Sequence, residues 1–127
     1  MQPETLIQNA NLKFAWGTVD VKGGARNKGS KNWSSKMVKA PDKDKPDVKH
    51  AYYEITWEVP VKGEPVIVVS GYRIKTDPGI PDESQDNSFS VRLSEKGFEV
   101  HSFDVGNSSE KGTRQAAAFS FIAIWGG

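Results

Sequence analysis

Two neighbouring stretches decide the fold: Tyr53-Glu-Ile-Thr-Trp-Glu-Val-Pro60 and, after the turn Gly63-Glu-Pro65, Val66-Ile-Val-Val-Ser70. In the first, Tyr53, Ile55 and Trp57 alternate with Glu54 and Thr56. That is the period of a strand with one wet and one dry face. Pro60 closes it, because proline has no N–H to give a ladder. The second is a continuous aliphatic run, as expected of a strand covered on both faces.

The same texture extends outward in both directions. Leu12 to Val21 reads as a first strand with Phe14 and Trp16 on one face and Gly17 as a bulge or close-approach site. Gly71-Tyr-Arg-Ile-Lys75 extends the aliphatic strand beyond a bulge at Gly71. Phe89-Ser-Val-Arg-Leu93 alternates again. Ser94-Glu-Lys-Gly97 reads as a hairpin turn, with Gly97 at positive φ, leading into Phe98–Val105. Phe119-Ser-Phe-Ile-Ala-Ile-Trp125 is the last strand. No 11-residue window carries an apolar helical stripe free of Gly and Pro. The expected fold is therefore all-β, an antiparallel β-sandwich of about six strands in one domain, residues 1–127. Its expected core is Phe14, Ile55, Trp57, Val66, Val68, Phe89, Val91, Leu93, Phe98, Val100, Phe119, Phe121 and Ile122. The connections 22–35, 36–50 and 76–87 read as long loops, the usual carriers of function.

Composition narrows the function classes. The 127 residues contain no cysteine, which excludes disulfides, zinc knuckles and thiol nucleophiles. Seventeen Lys+Arg against 16 Asp+Glu give a net charge of +1, so no bulk field draws nucleic acid. No apolar run approaches the ~20 residues of a membrane-spanning helix. Met1 to Ala10 lacks the basic and apolar regions of a secretory leader, and neither compartment nor host is read from it.

Catalytic and metal constellations are weak. His50 and His101 stand far apart without metal-ligand spacing, so no metal and no cofactor is expected. Asp42, Asp44 and Asp47 superficially suggest a calcium cage, but Lys43 and Lys45 lie between them. No G-x-S-x-G elbow is present. The basic Lys22-Gly-Gly-Ala-Arg-Asn-Lys-Gly-Ser30 lacks the ending of a phosphate-binding P-loop. The chain reads as a non-enzyme.

One surplus points to assembly. The last strand is apolar on both faces, with Phe119, Phe121 and Ala123 on one and Ile122 and Ile124 on the other. A monomeric sandwich needs only one buried face, so the second implies packing against neighbours around an axis.

Taken in order, the strands resemble the H-type lectin family, the β-sandwich domains of snail agglutinins and discoidin C-terminal domains. The likeness rests on Gly17-Thr-Val-Asp20, on Ile55-Thr-Trp-Glu-Val-Pro60 with Pro65-Val-Ile-Val-Val-Ser70, on Phe89-Ser-Val-Arg-Leu93 with Gly97-Phe98, and on Phe119-Ser-Phe-Ile-Ala-Ile124. It covers about residues 14 to 125, and Phe121 stands where the family usually has Trp. The resemblance implies a homotrimer that binds carbohydrate, galactose-type sugars in particular, without a metal. The family's sugar-contacting loop Asp corresponds to Asp44 or Asp47. Its Arg falls near Ser88 or Asn87, so that guanidinium is absent. Its Trp-His pair falls at Val105-Gly106-Asn107, so the stacking ring and the imidazole are absent too. Its Tyr falls within Glu110–Gln115, where Arg114 is the strong donor. The implied ligand residues are thus Asp44, Asp47, Asn87, Asn107 and Arg114, with Trp33 or Tyr72 as sources of an aromatic ring. The alternative expectation is a structural or adhesion trimer, such as a tail-fibre or surface-assembly domain, that binds protein. A concave pocket rimmed by exposed aromatics favours sugar, and a broad flat apolar patch favours protein.

Overall fold

The computed structural model describes residues 12–41, 49–72, 87–104 and 116–126. They form an all-β sandwich of two four-stranded antiparallel sheets. The strands in chain order are β1 (Leu12–Val19), β2 (Ala25–Asn27), β3 (Trp33–Pro41), β4 (Lys49–Trp57), β5 (Val66–Gly71), β6 (Asn87–Leu93), β7 (Gly97–Asp104) and β8 (Phe119–Gly126). One sheet runs β2-β1-β8-β5 and the other β3-β4-β7-β6. The sandwich class is as the alternating stretches foretell. Two strands were hidden inside what reads as loop: β2 and β3 occupy parts of 22–35 and 36–50. Trp33 is accordingly no loop aromatic. It opens β3 fully buried, so it cannot stack on a ligand.

Aromatic rings from both sheets make the core. Trp33 meets Phe121 edge-on at 4.9 Å, Phe98 meets Phe121 at 5.2 Å, and Tyr53 meets Phe119 at 5.2 Å. Trp57 packs on Phe98 and Trp125, each at 5.3 Å, and closes one end. Edge-to-face contacts add about 0.5–1.5 kcal/mol each beyond the area they bury. Tyr53, Ile55 and Trp57 point inward as their alternation requires.

The expected core is wrong at several positions. Phe14, Val66, Val68, Val91, Leu93 and Ile122 are exposed. On β1 the inward set is Ala15, Gly17 and Val19, because bulky rings from the opposite sheet fill that space. A Cβ on Gly17 would stand 2.1 Å from the Trp33 ring, so the close approach expected there is real. The aliphatic β5 is covered on one face only, and it pairs with β8 in unbroken register through Gly71, with no bulge. The 94–97 turn forms, Ser94 N donating to Gly97 O at 3.0 Å. Gly97 is not among the positive-φ glycines. Its lack of a side chain serves close packing instead, since a Cβ would lie 1.8 Å from the Ile55 carbonyl oxygen.

A buried phenol ties distant segments together. The Tyr53 hydroxyl donates to Val21 O at 2.8 Å and accepts from Ala117 N at 3.0 Å. Burial pushes its pKa up to about 12. The folded protein holds this proton while the unfolded chain releases it near pH 10. Stability therefore falls from pH 10 to 12, by up to ~1.4 kcal/mol per pH unit from this group. Tyr53→Phe leaves the Ala117 N–H without its acceptor and is expected to cost about 2 kcal/mol at neutral pH. It should also remove this share of the alkaline loss, both readable by urea denaturation across pH.

Candidate functional site

The outer face of the β2-β1-β8-β5 sheet is built from three rungs, each crossing β1, β8 and β5. Phe14, Ile124 and Val66 form the first, Trp16, Ile122 and Val68 the second, and Thr18, Ser120 and Ser70 the third. None of the nine side chains titrates. Trp16 is 47% exposed, Ile122 52%, Val68 63% and Val66 67%. With Phe14 and Leu12 at the end of the face, these side chains offer on the order of 500 Å² of apolar surface, towards the top of the ~300–600 Å² typical of a monomer's largest patch. A hollow of about 260 Å³ lies between Trp16 on one side and Val68 and Ser70 on the other, floored by β8. The Thr18 Oγ1 is buried there without a hydrogen-bond partner among the described residues.

Local sequence fixes this face in place. Trp16 lies against Gly29, whose Cβ would come within 2.6 Å of the indole. Gly29 has φ 52°, a conformation glycine takes at no steric cost. Next to it, residues 30–33 seal the edge of β1. Ser30 N and Trp33 Nε1 donate to Trp16 O, at 3.2 and 3.0 Å. Trp16 N donates to Ser30 Oγ at 3.0 Å, and Asn32 Nδ2 to Phe14 O at 3.1 Å. These groups of β1 are satisfied, so this part of its edge offers no template to an added strand. What β1 presents is its face. At the polar end, the Arg26 guanidinium lies 6.0 Å from the centre of the Tyr72 ring, which bounds the patch.

The outer face of the other sheet is its opposite in character. One rung aligns Lys36, Glu54, Glu99 and Arg92 across β3, β4, β7 and β6. Like charges face each other at Glu54 and Glu99, and cations flank both. Lys36 reaches Glu54 at 3.4 Å, while Arg92 and His101 reach Glu99 at 4.0 and 3.6 Å. Tyr52 stacks on His101 at 4.9 Å. Desolvation first, and then the charges of Glu54 and Glu99, hold the Tyr52 phenol above its usual pKa. An open hollow of about 450 Å³ sits beside this rung against the 94–96 turn. The exposed Lys36 and Arg92 add little to stability through their pairs, and the charges are already matched within the face.

Of the ligand residues implied by the lectin resemblance, Asp44, Asp47, Asn107 and Arg114 lie outside the described residues. Asn87 starts β6, its Cα opposite Asp104 in the register with β7. No group that could hold a metal ion occurs among the described residues. Comparisons with protein-family models, with curated proteins and with solved structures return no match. Phe14, Val66, Val68 and Ile122, expected in the core, lie on this exposed face. The signal that marks them as surface is the one read from β8, a strand with more apolar faces than a single sandwich can bury.

Proposed function

We propose that this chain is a non-catalytic interaction module that works as a homo-oligomer, in which protein covers the outer face of β1, β8 and β5. The observation that supports it is that face: uncharged through three successive rungs, and exposed where a solitary sandwich would carry polar side chains. Three copies is the number that the lectin resemblance implies. Carbohydrate binding keeps the same assembly and draws on Asp44, Asp47, Asn107 and Arg114, which lie outside the described residues.

Light scattering on the wild type is expected to give a multiple of the 14.0 kDa chain mass. Ile122→Lys puts an ammonium at the centre of the face without touching the core. It is expected to yield a folded single-copy particle, with association weakened on the order of 100-fold or more. A wild type that scatters as one chain at every concentration overturns the assembly. A glycan array probed with the intact oligomer separates a sugar-binding assembly from a purely structural one.

A further inference from the structure

The sheets end in β2, β3, β6 and β5, and all of these edges but the last carry a device against strand addition. The β2 edge is short, and its register with β1 shifts between Thr18 and Val19. The β3 edge carries Lys36 and Lys39 and ends on Pro41. The β6 edge carries Arg92. The β5 edge, Val66-Ile-Val-Val-Ser-Gly71, has no charge and no proline, and it pairs with β8 without a bulge.

The free side of β5 also leaves backbone groups unpaired. Tyr72 N donates to Ala118 O at 3.3 Å, and the two residues stand opposite each other when the β5-β8 register is carried one step further. Bonded and non-bonded opposites alternate along an antiparallel pair, so Val66, Val68 and Ser70 are the residues that exchange bonds with β8. The N–H and C=O groups of Ile67 and Val69 therefore point away from β8, and they have no partner among the described residues.

Beside this edge the sandwich is open. Val91 and Leu93 stand opposite the buried Val100 and Phe98 in the β6-β7 register, so they lie on the core side of their sheet. Yet they are 37% and 40% exposed. On the core side of β5, Ile67 and Val69 are only partly buried. The fully buried Trp33 fills the space between the layers on the β3 side, and no ring of that size does so between β5 and β6 among the described residues.

We infer that β5 is the docking edge for an extended strand of a partner protein, an uncharged segment with β-branched or aromatic side chains at every second position. Its backbone takes the bonds that Ile67 and Val69 leave open. Its apolar side chains enter the gap towards Val91 and Leu93, and the alternate ones continue the outer face beside Val66 and Val68. The inference does not depend on what covers that outer face. A second copy pairing β5 on β5 would make the same backbone bonds, but it would bring a second layer with it. Its β6 would then run beside this β6, setting Arg92 near its own equivalent, with no acid on that strand to separate them. A lone strand brings no such charge.

The test combines amide exchange with peptide binding. The probe is a fluorescein-labelled peptide of alternating threonine and valine, with a lysine at each end for solubility. In the free protein the amides of Val68 and Ser70 should exchange slowly and those of Ile67 and Val69 fast. Added peptide should slow Ile67 and Val69 by roughly tenfold or more, because both become bonded. Val69→Pro removes one open donor and no bond to β8, while Val69→Ala trims the same side chain and keeps the N–H. Fluorescence anisotropy should show affinity falling about tenfold or more with proline, and by a fraction of that with alanine. Ile67 and Val69 amides that stay fast at the highest soluble peptide concentration overturn the inference, as does an equal loss in the two variants. Protection that grows with protein concentration alone gives the edge to a second copy and overturns the partner strand. Light scattering on the same samples reads the assembly separately. A wild type that scatters as one chain, yet is protected at Ile67 and Val69 by the peptide, removes the assembly reading and supports this one.

Discussion

Trp33→Ala is expected to lower the unfolding free energy by about 4 kcal/mol, a large part of the ~5–15 kcal/mol that holds a domain of this kind folded. Trp33 is fully buried at the start of β3 and packs edge-on against Phe121. Its truncation loses the transfer energy of an indole and leaves a void that rigid strands on either side cannot close. The hydrogen bond adds little to this loss. Trp16 O, which accepts from the indole Nε1, also accepts from Ser30 N and so keeps a partner. Trp33→Phe should therefore recover more than half of the deficit. Gly17 supplies an internal control. Gly17→Ala clashes with the Trp33 ring in the wild type, so its cost should shrink in the Trp33→Ala background. Chemical denaturation of the four proteins in that cycle gives the coupling directly, and additive effects would show that the ring does not fill the space above Gly17.

Gly97→Ala is expected to be nearly as damaging, at roughly 3 kcal/mol. The added methyl would lie 1.8 Å from the Ile55 carbonyl oxygen and 3.0 Å from the Thr56 Cα. These are backbone atoms of β4, paired with β7 at this point through Thr56 and Gly97. No rotamer relieves the contact. The strands must part, which also strains the bond from Trp57 N to Lys96 O. An insertion that loosened the 94–96 turn would not rescue it, because the obstruction lies across the strand pair and not in the turn. Thermal unfolding by circular dichroism reads the loss, and an unchanged midpoint would mean that β7 can shift away from β4 without cost.

Much of the architecture was legible because alternation reports exposure wherever a strand has one wet face. Tyr53-Glu-Ile-Thr-Trp57 is such a strand, and Tyr53, Ile55 and Trp57 are buried as read. β3 was not legible. Trp33-Ser-Ser-Lys-Met-Val-Lys-Ala-Pro41 is an edge strand whose Lys and Ser side chains look like loop, and it is anchored by the buried Trp33 and the partly buried Met37. β1 misled for a different reason. Its core positions are Ala15 and Gly17, small because Trp33 and Phe121 already fill the space, while its largest rings face outward. Bulk on a strand usually marks the buried face, and here Phe14 and Trp16 stand exposed on the outside of the sandwich instead. The candidate site was half visible for that reason. The second apolar face of β8 is legible in Ile122 and Ile124, yet Ile122 was also counted as core, together with Phe14 of β1 and Val66 and Val68 of β5. Of the residues implied by the lectin resemblance, Asn87 opens β6 and the other four lie outside the described residues.

The Tyr53 hydroxyl has a consequence for how the molecule comes apart. Its two partners lie 32 and 64 residues away along the chain, one following β1 and one preceding β8. Tyr53 itself belongs to the opposite sheet. A single phenolic oxygen thus stitches one layer to both central strands of the other, and neither layer can loosen without breaking that stitch. The two sheets should melt as one cooperative unit, with the Ala117 amide among the last to meet solvent.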